Sequence, residues 1–164
     1  MFYYFISFII LVRVVELFIA KRNERWLRSE GAGEYGGEHY KYFIILHTGF
    51  FISLITEYNL SEYSGIKYWV IVMFFVVQIL RISIFISLGK YWNTKILVIK
   101  GRELVHTGLY RYFKHPNYVI VILEFLLIPF GFGLYITLIV FSMLNLLLLR
   151  VRLREEEKAL FDNE

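Results

Sequence analysis

Cysteine is absent from this sequence of 164 residues, and proline occurs only twice. Without cysteine the protein forms no disulfide, and it has no thiolate to act as a nucleophile or as a metal ligand. The four histidines show no paired spacing such as H-E-x-x-H and have no companion cysteines, so the sequence predicts no bound metal. They are His39, His47, His106 and His115.

Charged residues are sparse in several long apolar stretches. The chain is 58% hydrophobic and 20% aromatic, which is too apolar for a soluble domain of this length. A helix that crosses a bilayer needs about 20 mostly apolar residues. We therefore predict an all-α integral membrane protein with a single domain, residues 1–164, and about five transmembrane helices. The predicted spans are residues 2–20, 42–57, 66–88, 118–130 and 134–149.

The last two predicted spans are short for a full crossing. Pro129, Gly131 and Gly133 interrupt the apolar run between them. This pattern predicts a tight helical hairpin whose arms are tilted, extended at their ends or only partly spanning. The sequence leaves open whether both arms cross the bilayer fully.

Basic residues are concentrated in three segments. Residues 21–41 carry five Lys and Arg, residues 89–117 carry six, and the tail from Arg150 carries four, out of 18 in the chain. Lys and Arg collect on the cytoplasmic side of membrane proteins. Five helices with the N-terminus outside and the C-terminus in the cytoplasm put all three segments on that side. The net charge of +4 follows from these loops, and no nucleic-acid partner is expected.

Four charged residues lie well inside the predicted spans, away from their first and last residues. Arg13 and Glu16 are three residues apart and can pair on one helix face. Arg81 and Glu124 lie in the third and fourth spans, and ionisable residues at such depth normally face the bundle interior. We predict that Arg81 and Glu124 form either a structural pair or an acceptor-binding site. His47, in the second span, is expected to be a hydrogen-bonded residue of the bundle.

Two segments between the spans contain glycine. Residues 31–36 match G-x-G-x-x-G, but a charged segment precedes them and a membrane span follows, so we predict a flexible loop and no dinucleotide site. Residues 90–107 contain two short apolar runs, 96–99 and 104–105, around a polar turn. They suggest either a hairpin or lid over a binding site, or an amphipathic interfacial stretch.

A dense polar and aromatic cluster occupies residues 108–118, directly before an apolar run. The proline after His115 restrains it and suits the first turn of a helix. His115 and Asn117 would therefore be presented at a helix entrance, between Tyr110 and Tyr118. Such a segment fits the carboxylate of a bound cofactor, and it also fits an interfacial anchor.

The tail continues the fifth predicted helix beyond the membrane. Arg152 and Glu156 are one turn apart and share a face with Leu149, Leu153 and Leu160. A carboxylate on an apolar stripe points inward, and arginine precedes glutamate, the weaker order for a purely helix-stabilising pair. The pattern favours a ligand-binding role, with a solvated helix face as the alternative.

Together the two clusters resemble the isoprenylcysteine carboxyl methyltransferase family, small membrane enzymes that use S-adenosylmethionine. The similarity runs from about residue 81 to residue 160 and includes an upstream Leu88-Gly89 and Trp92. One family motif is approximately L-V-x-x-G-x-Y-x-x-x-R-H-P-x-Y. It matches Leu104, Val105, Gly108, Tyr110, His115, Pro116 and Tyr118. The other, R-x-x-x-E-E-x-x-L, matches Arg152, Glu156, Glu157 and Leu160.

The resemblance implies roles for these residues. The seven residues of the first motif would bind S-adenosyl-L-methionine at a cytoplasmic site built from the loop before the fourth helix and the C-terminal helix. Arg152 and Glu157 would close the site and orient the acceptor, and Glu156 would contact the cofactor. Lys114 departs from the family's arginine, which keeps the charge but loses the planar fork.

The implied acceptor is lipophilic and embedded in the membrane. It carries either a lipid hydroxyl, such as that of an alkylated polyketide, or a carboxylate, such as that of a prenylated cysteine. Methyl transfer from a sulfonium needs alignment and exclusion of water but no metal. A phospholipid or amine N-methyltransferase, an NADPH-consuming membrane reductase and a small membrane scaffold are the alternatives.

Overall fold

A computed structural model describes residues 1–61, 65–102 and 105–161 of the chain. The described residues form five α-helices and two short strands. They are α1 (Phe2–Ser29), β1 (Gly33–Tyr35), α2 (Gly37–Leu60), α3 (Tyr68–Leu88), β2 (Ile96–Val98), α4 (Pro116–Gly131) and α5 (Tyr135–Phe161). Two 3-10 turns, Gly89–Tyr91 and Gly108–Arg111, lie in the segment that connects α3 to α4.

The protein is a multi-pass integral membrane protein. Four of its described helices, α1, α2, α3 and α5, are long and apolar enough to cross a membrane. Their large apolar side chains lie on the outside of the bundle, as in Phe18, 70% exposed, and Ile86, 78% exposed. Such surfaces are suited to lipid rather than water.

The fourth expected span, α4, is shorter than the other four helices. α4 contains 16 residues, about 24 Å at 1.5 Å per residue, against a hydrocarbon core of about 30 Å. It begins at Pro116, with His115 as its N-terminal cap residue, and Pro129 lies in its last turns. The connection from Gly131 to Tyr135 is short, which confirms the expected helical hairpin of α4 and α5.

Several helices are longer than the apolar runs from which they were predicted. α1 extends to Ser29, α2 starts at Gly37 and α5 continues to Phe161. The ends of a span follow hydropathy, whereas a helix continues through charged residues until its backbone hydrogen bonds are interrupted. The helical extension of α5 past residue 149 agrees with the sequence prediction.

Residues 96–99, expected to belong to a hairpin, a lid or an interfacial stretch, contain strand β2, whereas Leu104 of the second apolar run lies outside the described residues. β2 pairs antiparallel with β1, with Gly33 opposite Val98 and Tyr35 opposite Ile96. The segment 31–36, expected to be a flexible loop, therefore supplies a strand. Lys95 lies 2.9 Å from Glu24 and 3.4 Å from Glu34, so ion pairs support the same contact.

Two apolar clusters hold the helices together. One packs Phe2, Phe50, Phe74 and Phe132 in the interior of the bundle. The other contains Ala20, Val77, Ile84, Trp92 and Ile120, and therefore fixes the segment after α3 against α1, α3 and α4. This second cluster lies next to the candidate site.

Candidate active site

A cavity of about 470 Å³ lies between the end of α3, the segment that connects it to α4, and the C-terminal part of α5. Six of the residues predicted for the site line this cavity. They are Val105, Tyr110, His115, Tyr118, Arg152 and Glu156. Residues 95–99, including strand β2, form another part of the wall, so the cavity has the covered side that the sequence suggested.

His115, Tyr118 and Glu156 form the polar centre of the cavity. His115 Nδ1 lies 3.5 Å from Glu156 Oε2, and the Tyr118 hydroxyl donates a hydrogen bond to the same carboxylate. The rings of His115 and Tyr118 are parallel, with centroids 5.4 Å apart. Pro116 at the start of α4 sets this arrangement, because it fixes the backbone between the two side chains.

Arg152 joins this centre from α5. Its Nε donates a hydrogen bond to the Tyr118 hydroxyl oxygen over 3.1 Å, and its guanidinium lies 5.3 Å from the centre of the Phe43 ring. Arg152 and Glu156 are four residues apart on one helix face, as expected from the sequence. The cavity therefore presents a positive and a negative group side by side.

The electrostatic surroundings fix the protonation states of Glu156 and Tyr110. Burial raises the pKa of Glu156, but hydrogen bonds from His115 and Tyr118 and the charge of Arg152 outweigh it, so the pKa lies below its usual range. Glu156 is therefore an anion at neutral pH. Burial and then the charge of Glu156 raise the pKa of Tyr110, so Tyr110 remains a neutral phenol.

Four residues of the two motifs are not among the described residues that line the cavity. Leu104 lies outside the described residues. Pro116 is buried at the start of α4. Glu157 lies beside the cavity, where its carboxylate is 3.5 Å from Lys114 Nζ in a pair that is largely exposed. Lys114 itself lines the cavity.

Gly108, the fourth, has a packing role. Its φ is +59°, and a Cβ at this position would lie 2.0 Å from Ser87 Oγ and 3.2 Å from Ser87 Cβ. Glycine therefore lets the segment before α4 lie directly against α3.

Arg81 and Glu124 are paired, as the sequence suggested, in a network of charges between α1, α3 and α4. Arg81 lies 2.6 Å from Glu124 and 2.9 Å from Glu16, which is 2.6 Å from Arg13. Arg13 also bonds to Glu124, and Gln78 donates to Glu124 over 2.6 Å. The predicted Arg13–Glu16 pair is thus confirmed.

This network does not line the 470 Å³ cavity. Arg81 lies seven residues before Leu88 on α3, about 10 Å along the helix axis from the cavity wall. Two positive and two negative side chains neutralise one another, which lowers the cost of burying them in the bundle. His47 is also a bundle residue, and its Nδ1 lies 2.9 Å from the Phe43 carbonyl oxygen.

Trp92 and Asn23 belong to the site region but were not predicted as site residues. Trp92 lines the cavity and is 4% exposed, and Asn23 Nδ2 donates to its carbonyl oxygen over 2.8 Å. The Leu88-Gly89 and Trp92 similarity was the available signal for Trp92. Asn23 had none, because it lies on α1, far from the motifs in sequence.

Among residues 1–61, 65–102 and 105–161, no group of three or more His, Asp or Glu side chains is arranged to hold a metal ion.

The part of the chain that supplies most of the cavity wall matches a known protein family. The model of the isoprenylcysteine carboxyl methyltransferase (ICMT) family matches residues 69–162. The chain is 46% identical over 162 residues to the uncharacterized protein YpbQ of Bacillus subtilis (strain 168), covering 98% of this chain and 96% of that protein. It is 30% identical over 159 residues to an uncharacterized protein of Haemophilus influenzae (strain ATCC 51907 / DSM 11121 / KW20 / Rd), covering 93% and 90%. No solved structure matches the chain significantly.

Proposed function

Because the chain belongs to the isoprenylcysteine carboxyl methyltransferase family, which indicates a membrane methyltransferase, we propose that it transfers methyl groups from S-adenosyl-L-methionine to a lipophilic acceptor in the membrane. The observation that carries this proposal is the 470 Å³ cavity with His115, Tyr118, Arg152 and Glu156 in its wall. It lies at the end of a bundle whose outer surface suits lipid.

The cavity fits the proposed cofactor in size and chemistry. Its volume lies within the range of about 300–1,000 Å³ that is typical of ligand pockets. The amino-acid part of S-adenosylmethionine carries one carboxylate and one ammonium group, and Arg152 and Glu156 offer the complementary charges. His115 Nε2 is buried and has no hydrogen-bond partner among the described residues, so a polar ligand atom would satisfy it.

When bound, the cofactor would supply an electrophilic methyl group on a sulfonium. The protein residues would bind the cofactor, align it with the acceptor and shield both from water. Val105 and Tyr110 contribute wall surface. Residues 95–99, which form another part of the wall, reduce the contact of the cavity with water. Tyr118 holds both Arg152 and Glu156 by its hydroxyl, so the two charged groups keep their positions before any ligand arrives.

Methyl transfer also requires an acceptor oxygen that carries no proton. A carboxylate acceptor is already ionised and needs no base. A hydroxyl acceptor must lose a proton, and Glu157, which is partly exposed beside the cavity, is the proposed group to receive it. The guanidinium of Arg152 has further N–H groups besides the Nε that bonds to Tyr118, so it could hold the cofactor's carboxylate and also orient either acceptor oxygen, as the resemblance implies.

Entry from the membrane is supported by two aromatic residues at the cavity rim. Tyr112 is 75% exposed and Phe113 is 56% exposed, and both line the cavity. Exposed aromatic side chains of membrane proteins collect at the headgroup level. A lipid acceptor could approach the site along these rings without leaving the membrane. Arg81 and Glu124, deeper in the bundle, stay predicted either as a structural pair or as an acceptor-binding site.

The test is transfer of labelled methyl from S-adenosylmethionine into the organic-soluble fraction of membranes with and without the protein. We expect label with the wild type, a strong loss in His115→Ala, and no loss in the control His39→Ala, which lies outside the cavity wall. Separate additions of lipid alcohols, prenylcysteine carboxylates and phospholipid amines identify the acceptor. Direct binding of S-adenosylmethionine to the purified chain is measured in parallel, and failure of the wild type to bind it would refute the proposal.

A further inference from the structure

Trp92 has a buried hydrogen-bond donor that the fold does not use. Its side chain is 4% exposed and lines the cavity, and its Nε1 has no hydrogen-bond partner among the described residues. Nearly all buried donors in native structures are paired. The indole N–H of this cavity-lining residue is therefore a donor that a ligand atom could accept from.

The ring position is fixed from two sides. The ring centroid of Phe85 lies 4.1 Å from that of Trp92, and Asn23 Nδ2 holds the Trp92 carbonyl oxygen at 2.8 Å. Asn93 Nδ2 donates to the Ala20 carbonyl oxygen over 2.9 Å and ties the next residue to α1 as well. Packing alone would be served by phenylalanine, so the N–H group is the feature that packing does not explain.

The surroundings of Trp92 indicate what kind of atom it meets. Trp92 belongs to an apolar cluster that includes Ile84 and Ile120, with Leu88 and Tyr110 packed against it. Leu88 and Tyr110 also line the cavity. This part of the wall is apolar and aromatic with one donor, whereas the charged residues Arg152 and Glu156 come from α5. A neutral, flat, heteroaromatic group suits the first part, and a zwitterion suits the second.

We propose that the Trp92 N–H donates a hydrogen bond to a ring nitrogen of the cofactor's adenine, which binds against the apolar wall formed by Leu88, Trp92 and Tyr110. This inference rests on the proposed function, since it assigns the two ends of S-adenosylmethionine within the same cavity. The amino-acid end lies at Arg152 and Glu156. Trp92 is then a cofactor-binding residue, held in place by Asn23 of α1.

The experiment measures equilibrium binding of S-adenosylhomocysteine and its 1-deaza, 3-deaza and 7-deaza analogues to the detergent-solubilised full chain. Each analogue lacks one ring nitrogen of the adenine. We expect Trp92→Phe to weaken binding of the parent compound by about 2- to 12-fold, the effect of one ordinary hydrogen bond. Trp69→Phe, an exposed tryptophan at the other end of α3, is the matched control and should bind as the wild type does.

The decisive result is non-additivity. One deaza analogue should bind the wild type more weakly than the parent does, and Trp92→Phe should weaken that analogue no further, because the two changes remove the same bond. The other two analogues should lose affinity in Trp92→Phe as the parent does. A merely structural role would weaken all four ligands by the same factor.

Other outcomes overturn the inference. If every deaza analogue binds the wild type as tightly as the parent, no ring nitrogen accepts a bond, whether or not Trp92→Phe folds. If Trp92→Phe leaves all four affinities unchanged but raises the acceptor KM, the N–H faces the acceptor and the adenine assignment is wrong. These results leave the proposed function intact, whereas a wild type that binds neither S-adenosylmethionine nor S-adenosylhomocysteine refutes both.

Discussion

Arg152 Nε donates a hydrogen bond to the hydroxyl oxygen of Tyr118 over 3.1 Å, and the same hydroxyl donates to Glu156. The two charged residues come from the end of α5, and the tyrosine comes from the first turn of α4. One phenol therefore links the two motifs that lie 34 residues apart in sequence. This link makes the polar centre of the cavity a single unit.

Removing the Tyr118 hydroxyl should loosen that unit. In Tyr118→Phe the ring remains, but Glu156 and Arg152 each lose a hydrogen bond. Bonds to charged groups contribute about 1.5–3 kcal/mol, so we expect at least a tenfold weaker affinity for S-adenosylhomocysteine. Isothermal titration measures it, with Tyr4→Phe, an exposed tyrosine that does not line the cavity, as the control. Equal affinity in Tyr118→Phe and the wild type would contradict the linking role.

Glu156 should make the stability of the protein depend on pH. Although burial raises the pKa of Glu156, the partners His115, Tyr118 and Arg152 lower it more, and the pKa lies below the ordinary glutamate value of 4.5. A depressed carboxyl pKa stabilises the folded state above the unfolded pKa, and this contribution is lost as the pH falls through the folded pKa.

The comparison of wild type with Glu156→Gln tests this dependence. The wild type should have the higher Tm above pH 4.5, and the difference should shrink progressively at lower pH. Thermal unfolding in detergent at a series of pH values measures it. A difference in Tm that does not change with pH would show that the Glu156 charge contributes nothing.

Gly108→Ala should displace the segment before α4. The added Cβ would meet Ser87 Oγ at 2.0 Å, and a left-handed φ of +59° costs an L-residue about 1–2 kcal/mol. We expect lower stability and weaker cofactor binding. Gly31→Ala is the matched control. Its φ is +85° and nothing lies within 4 Å of the added Cβ, so it tests backbone strain without a steric clash.

A second substitution separates contact from strain at this position. Ser87→Ala in the Gly108→Ala background removes the hydroxyl that the new Cβ meets, so affinity should recover in part, with the backbone strain remaining. If Ser87→Ala restores none of the affinity, backbone strain alone causes the loss of affinity in Gly108→Ala. Binding of S-adenosylhomocysteine to the three variants provides the comparison.

The charge network of Arg13, Glu16, Arg81 and Glu124 should be essential for stability. Removing one partner of a buried ion pair costs about 3–5 kcal/mol, because the other charge is left without compensation. Glu16→Gln and Glu124→Gln should therefore both lower the Tm strongly. Both carboxylates contact the guanidinium of Arg81, which makes them a matched pair.

The same pair tests the predicted acceptor-binding role. If Arg81 and Glu124 bind the acceptor, Glu124→Gln should raise the acceptor KM more than Glu16→Gln does. A purely structural network would change the stability of both variants to a similar extent and leave both KM values alike. Steady-state kinetics with the identified acceptor measures the difference.

Much of the site was predictable from the sequence because its determinants are local. Pro116 fixes the start of α4 and therefore places His115 and Tyr118 at a helix entrance. The spacing of Arg152 and Glu156 puts both on one face of α5, and both line the cavity. The pairs Arg13–Glu16 and Arg81–Glu124 followed from the cost of a lone charge within a bundle.

The features that the sequence did not predict are contacts between distant parts of the chain. Residues 31–36 were expected to form a flexible loop, whereas β1 pairs with β2, more than 60 residues away. No local pattern specifies that partner. Ion pairs between Lys95 and the residues Glu24 and Glu34 accompany it, and they exist only once α1 and α3 are packed together.

The sequence by itself determined the membrane class, the positions of the helices, the helix entrance at His115 and the charged face of α5, because hydropathy, proline and helical periodicity act within one segment. Only the tertiary structure decided that α1 supplies Asn23 to hold Trp92, that strand β1 pairs with β2, and that Gly108 lies against Ser87. These features depend on which helix faces pack together. That choice is made by the shapes and charges of the whole bundle.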